Sequence, residues 1–270
     1  MAGTREGRRL SDQYRAEQLA IRAQSLRGLL DIWKGVKPAD LSGTIDTFTT
    51  AAVLLALDGY DDAALSASRY LPIFRRAEGI RGEPPAVITS PGPARVDIAA
   101  NLRGAALSGI ITARRAGMST AKAADNGLVK VAGALAKIVL TGGWMTILSH
   151  TQRDPVALGW QRVTSGDPCA FCRMLAGRGP VYKSEGAADF TPHDGCGCTA
   201  EPVYRKDGVD PQAAVYREEY AAAQRWAATN VTRESATSNN QLNNYRQWLA
   251  KGKPEPGDNA PGGGTEESGE

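Results

Sequence analysis

Leu19, Ala23, Leu26, Leu30 and Trp33 recur at alternating steps of four and three residues, which is the spacing of one apolar helix face. Charged residues fill the opposite face. A second helix is marked by Ile45, Phe48, Ala52 and Leu55. A third runs from Leu65 to Phe74 and should bend or restart at Pro72, where one helical hydrogen bond is lost. These segments read as an array of helical hairpins. Pro84-Pro85, Pro91-Gly92 and Pro93 then break the periodicity and should connect to a second helical block through Val96, Leu102, Leu107 and Ile110, ending near Gly117. Ser119 or Thr120 suits the cap of an alanine-rich helix reaching about Leu140. Gly142-Gly143 should separate it from a shorter helix holding Trp144 to His150.

After Pro155 the pattern changes. Residues Gly159 to Thr164 alternate as a short strand does and lead into a cysteine-rich stretch. Asp210-Pro211 is a helix start, with Tyr216, Tyr220, Ala223 and Trp226 on one face, and a last helix carries Leu242, Tyr245, Trp248 and Leu249 before stopping at Gly252. From Lys253 onward Pro, Gly, Ser and acidic residues offer almost nothing to bury, so a disordered tail is expected. The predicted fold class is mainly α: a helical N-terminal block, a small α+β zinc-clasped lobe, and C-terminal helices with a disordered acidic tail. The expected divisions are residues 1–83, 84–158, 159–205, 206–252 and 253–270. No internal repeat is visible.

Composition adds little to this picture. The chain has 270 residues and an ordinary apolar content, enough for a real core. Its net charge is only +3, but Arg5, Arg8, Arg9, Arg15, Arg22 and Arg27 crowd the start while the tail is acidic. That asymmetry suits a polar partner. The arginines read as a solvated helix face, with nucleic-acid contact as the alternative, since no basic stripe continues through the chain. Trp160, Trp226 and Trp248 lie in apolar patterns and read as core rather than as stacking platforms. No run of eighteen apolar residues occurs, and residues 1–9 lack the apolar stretch of a secretory signal. No membrane partner is expected, and the chain should be made and kept in a cytosol.

All four cysteines and one of the two histidines fall between residues 169 and 198. The two-residue gap of Cys169-Ala-Phe-Cys172 lets a tight turn aim two thiolates at one tetrahedral ion, and His193-Asp-Gly-Cys196-Gly-Cys198 supplies a second cluster. Gly195 and Gly197 permit the sharp turn that the second cluster needs. Four of the five candidates Cys169, Cys172, His193, Cys196 and Cys198 are expected to hold a structural Zn2+, closing the segment from Arg173 to Pro192 as a loop. A redox dithiol, disulfides or buried thiols are the competing readings.

Signatures of common enzymes are missing: no phosphate loop, no His-Glu-x-x-His, no Gly-x-Ser-x-Gly and no dinucleotide fingerprint. His150-Thr151-Gln152 before Pro168-Cys169-Ala170-Phe171-Cys172 echoes the zinc nucleobase deaminases, but Gln152 stands where a proton-transferring Glu is required. For a serine protease, Ser149 and His150 are neighbours on one helix and should point apart.

Several stretches resemble one known family, the minor head proteins similar to the F protein of bacteriophage Mu, in the type found in phages of actinobacteria. They are Gly159-Trp160-Gln161-Arg162-Val163, the run from Asp167 to Ala176, the run Arg178-Gly179-Pro180-Val181-Tyr182, and the run from His193 to Cys198. The resemblance covers residues 120 to 205 most clearly. It implies a minor capsid protein needed for head morphogenesis, present in the virion head near the portal and in the host cytoplasm during assembly. It also implies binding to portal and major capsid or scaffolding proteins and no catalysis. Capsid maturation protease, a label carried by relatives in phages of actinobacteria, is the rival function.

Overall fold

The computed structural model describes residues 2–164, 166–183, 194–195, 197–230 and 240–254. It is mainly helical: α1 (Arg5–Trp33), α2 (Leu41–Ala77), α3 (Arg95–Arg115), α4 (Thr120–Arg153), α5 (Ala170–Gly177), α6 (Gln212–Asn230) and α7 (Asn240–Ala250). Among the described residues, three short strands join them: β1 (Gly159–Val163), β2 (Val181–Tyr182) and β3 (Thr199–Val203). The chain divides into two compact units. The first comprises residues 1–165 and 180–209, the second residues 166–179 and 210–270.

In the first unit, α1 to α4 pack around Leu29, Ile45, Phe48, Ala52, Ile98, Leu102, Val131, Leu135 and Val139. Burying each of the larger of these side chains supplies about 1.5–3 kcal/mol. α4 is long and apolar enough to cross a membrane, but most of that stretch is buried inside this bundle. The proline-rich link before α3 lies along the bundle: the Tyr60 hydroxyl donates to the Pro91 carbonyl at 3.0 Å, and the Ser90 N–H donates to Thr146 Oγ1 at 3.3 Å.

Four expectations for the helices need correction. The segments read as second and third helices are one helix, α2, which continues through Pro72. Tyr70, Leu71, Phe74 and Arg75 are buried on either side of that proline, so tertiary packing outweighs the lost hydrogen bond. Likewise α4 runs unbroken across Gly142-Gly143. A Cβ on Gly142 would sit 2.1 Å from the Tyr60 carbonyl oxygen, and one on Gly143 would sit 2.7 Å from the Tyr14 hydroxyl. These glycines let α1 and α2 press against α4; they do not end a helix.

The inward face of α1 coincides with the apolar stripe only in part: Leu26 and Trp33 pack against the core, but polar residues fill much of the rest. Gly7, Ser11, Tyr14, Gln18, Ser25 and Leu29 are buried, whereas Leu30 is 51% exposed and Ala23 is exposed. Close packing against α2 and α4 selects small and hydrogen-bonding groups there, Gln18 donating to the Ala63 carbonyl of α2 at 3.1 Å. Similarly, Val96 at the start of α3 is exposed, and Ile98, Leu102, Ala106 and Ile110 form its buried face. The Ser119 cap is as expected, its side chain accepting from the Lys122 N–H.

β1 pairs antiparallel with both neighbours in the order β2-β1-β3, Gly159 facing Tyr182 on one side and Val203 on the other. All five residues of β3 are buried, and this strand lies against α4.

The second unit has its own core, built from Ala170, Ala223, Trp226, Ala227, Leu242, Tyr245 and Trp248. Asp210 Oδ1 accepts from the Gln212 N–H at 2.9 Å and so caps the entry to α6. Glu219 on α6 gathers Arg173 at 3.1 Å, the Tyr245 hydroxyl at 2.9 Å and Lys253 at 2.5 Å. Burial pushes the Glu219 carboxyl up, but these three donors outweigh it and hold it below its ordinary value. α7 ends where expected, with the Gly252 N–H bonded to the Leu249 carbonyl and the Lys253 N–H to that of Trp248. The tail from residue 255 lies outside the described residues.

Candidate functional site

Cys169 and Cys172 do not occupy an isolated tight turn. Cys169 is the N-cap of α5, in extended backbone geometry with φ −66° and ψ 163°, and Cys172 lies in the first helical turn. The segment Arg173 to Pro192 is therefore not a plain loop: its start completes α5 and its middle contributes β2. α5 forms because Phe171 and Met174 pack on the core of the second unit, while the Cys169 carbonyl accepts from the Arg173 N–H at 3.0 Å. Cys169 is exposed and Cys172 is buried. Two thiols three positions apart at the start of one short helix are a donor set of the kind soft metals take.

Cys198 immediately precedes β3 and is 1% exposed. Its carbonyl accepts the indole N–H of Trp144 at 2.8 Å, which fixes the chain entering β3 against the core helix α4. Gly195 has φ +78°, the left-handed conformation that favours glycine, and its N–H donates to the Gly133 carbonyl at 3.3 Å. The neighbouring Asp194 lies 3.9 Å from Lys137. His193 and Cys196 lie outside the described residues. Among the described residues, no group of three or more His, Cys, Asp or Glu is gathered as a metal site.

What sequence reasoning missed is a buried polar centre where α2 and α4 end beside the sheet. Arg75 Nε donates to Asp154 Oδ2 at 3.0 Å, with both side chains almost fully enclosed. The Tyr204 hydroxyl donates to the same oxygen at 3.1 Å, the Val156 N–H donates to Asp154 Oδ1 at 3.2 Å, and Lys183 donates to the Asp154 carbonyl. Arg75 also donates to the Gly82 carbonyl at 2.8 Å. A buried pair so surrounded holds its elements together mainly because removing one partner strands the other, at a cost of about 3–5 kcal/mol.

His150 lies beside this centre, 4.0 Å from Asp154 Oδ2 and fully buried, and among the described residues neither ring nitrogen has a hydrogen-bond partner. Burial depresses its pKa; Asp154 opposes that shift, while Arg153, Arg75 and Lys183 reinforce it. The imidazole is therefore neutral at pH 7. Ser149 accepts from the Arg153 guanidinium at 3.2 Å on the outer side of α4. The neighbours Ser149 and His150 thus have different surroundings and form no nucleophile and base pair.

A second network links α1 to the sheet. Ser11 Oγ donates to Glu201 Oε2, which leaves the Tyr70 hydroxyl to donate to Ser11 at 2.9 Å. Gln161 Nε2 donates to Glu201 Oε1 at 2.8 Å and to the Gly208 carbonyl at 2.9 Å. Burial pushes the Glu201 carboxyl above its ordinary value, against the hydrogen bonds from Ser11 and Gln161. Nearby, Glu78 accepts from the Gly3 N–H at 2.9 Å and from Thr4 Oγ1 at 2.9 Å, while Thr4 caps α1 through the Gly7 N–H. No sequence signal marks these charges as interior, because an acid within a five-residue strand reads as solvent-facing.

The geometry is that of a helical scaffold whose enclosed polar groups brace element ends, with a cysteine pair opening one short helix and a third cysteine beside the sheet. The chain belongs to the VG15 protein family, a family of viral and phage gene products, whose sequence pattern matches residues 6–244. The match runs from the first turn of α1 into α7. No curated protein and no solved structure matches the chain.

Proposed function

We propose that this VG15-family chain is a minor capsid protein of a tailed bacteriophage, acting in head morphogenesis by binding other head components near the portal. The observation that carries the reading is the family match over residues 6–244 to a set of phage and viral gene products. The resemblance of the stretches between Gly159 and Cys198 to Mu F-like minor head proteins supplies the finer assignment. Portal and major capsid or scaffolding proteins are the partners proposed, and the virion head is the proposed location. The N-terminal arginines offer a DNA contact, although Arg9 and Arg15 already pair with Glu6 at 2.6 Å and Asp12 at 2.8 Å.

A structural Zn2+ held by four of Cys169, Cys172, His193, Cys196 and Cys198 belongs to the same proposal. When bound, the ion would fix thiolate and imidazole positions and supply no chemistry of reaction. The cysteines would anchor the chain on either side of β2, and Trp144 would orient the Cys198 segment through its carbonyl.

The experiment separates binding from cutting. Phage carrying Ser149→Ala with His150→Gln should yield major capsid protein of wild-type size distribution, while Cys169→Ser with Cys172→Ser should reduce the yield of filled heads. Uncleaved major capsid protein in the first variant, with the chain folded and present, would replace the binding role with the capsid maturation protease.

A further inference from the structure

The second unit carries a pocket of about 250 Å³ that none of the networks above uses. It is lined by Met174, Gly177 and Arg178 from the end of α5 and by Arg217 and Tyr220 of α6. Its floor is apolar and fixed. The Tyr220 hydroxyl is tied to Gln241 Oε1 at 3.0 Å, and its ring meets Tyr245 edge-on with centroids 5.5 Å apart.

Its rim is cationic. Arg217 Nε donates to the Gly177 carbonyl at 3.0 Å, which anchors the guanidinium and leaves its terminal nitrogens for another acceptor. Arg178 follows α5 and is exposed. Among the described residues, neither arginine has a carboxylate within ion-pair distance. Arg173 on the same short helix shows the contrast, since Glu219 satisfies it at 3.1 Å and the Pro168 carbonyl at 2.9 Å. Glu219 is itself shared with Lys253 and Tyr245, so it does not neutralise the pocket rim.

Two guanidiniums beside an apolar floor match a carboxylate next to an apolar side chain. We propose that this pocket docks an acidic peptide segment of a partner protein, with a carboxylate against Arg178 and Arg217 and the adjacent apolar side chain over Met174 and Tyr220. The proposal stands on the pocket alone and holds whether or not the chain is a head component. A nucleic-acid strand fits less well, because the neighbouring Arg173 is already neutralised by Glu219.

The test uses the full chain and fluorescence anisotropy with a labelled Gly-Glu-Phe-Glu-Glu-Phe-Glu-Gly peptide. The peptide should bind, weaken with added salt, and lose at least about tenfold in affinity on Arg178→Ala with Arg217→Ala. Because Arg217 also holds the Gly177 carbonyl, Arg178→Ala alone is measured too and should weaken binding while thermal unfolding stays unchanged. The same peptide with Lys for Glu should not bind. Absence of binding by the wild type, equal binding by the Arg178→Ala variant, or equal binding of the lysine peptide would overturn the proposal. So would tighter binding of a twelve-nucleotide oligothymidine. A tenfold gain in peptide affinity when Glu255, Asp258, Glu266, Glu267 and Glu270 are replaced by their amides would also overturn it, by making the chain's own tail the occupant.

Discussion

Trp144 on α4 donates its indole N–H to the carbonyl of Cys198, 54 positions further along the chain, at 2.8 Å. The bond joins the core helix to the cysteine segment that leads into β3. Trp144→Phe keeps most of the aromatic volume but removes this buried hydrogen bond, so it should cost about 0.5–1.5 kcal/mol of stability. Urea unfolding of the two proteins checks this, and an unchanged midpoint would mean the bond contributes nothing.

Two glycines inside helices should respond in opposite directions to alanine. At Gly142 the new Cβ would meet the Tyr60 carbonyl at 2.1 Å and backbone atoms that cannot swing aside, so Gly142→Ala should destabilise by about 3 kcal/mol or more. Gly104 in α3 has nothing within 4 Å of the added Cβ, so Gly104→Ala should stabilise by about 0.5–1 kcal/mol. Thermal melts of the pair should move apart; a shift in the same direction would contradict the close α2–α4 approach.

His150 gives stability a pH dependence with a defined sign. Its pKa is depressed in the fold below 6.5, so the unfolded chain takes up a proton more readily as pH falls. Stability is then full above about 6.5 and is lost as pH drops from there toward the folded-state value. His150→Phe should flatten that loss between pH 6.5 and 5, measured as denaturation midpoints at several pH values. A slope identical to wild type would show that the imidazole is not the group responsible.

Much of the fold was legible where burial and hydropathy coincide. The last helix with Leu242, Tyr245 and Trp248, the Ser119 cap, the strand beginning at Gly159 and the Asp210 helix entry all follow from local pattern. The pattern misled wherever the interior is polar or tight. α1 buries Ser11, Tyr14 and Gln18 in place of Leu30, and Gly142 reads as a break although its missing side chain is what admits α2. Arg75, Asp154 and Glu201 were illegible because their partners lie 79 and 40 positions away, as Arg75 with Asp154 and Gln161 with Glu201 show. The cysteine spacing was plain, but the helical setting of Cys172 depends on packing by Phe171 and Met174 that the Cys-x-x-Cys motif does not encode.

For the proposed zinc site, protein purified without chelator should carry close to one zinc per chain by elemental analysis. Removing it should raise hydrogen exchange in residues 159–205 far more than in α3. Metal-free protein with all thiols in disulfides would contradict the clasp.

Quantitative mass spectrometry of heads purified from the phage that encodes this chain decides whether it is a head component. The chain should co-purify with heads at a small fraction of the major capsid protein's copy number and cross-link to the portal. Heads that assemble and fill normally without it, while the chain stays wholly in the soluble lysate, would contradict that role.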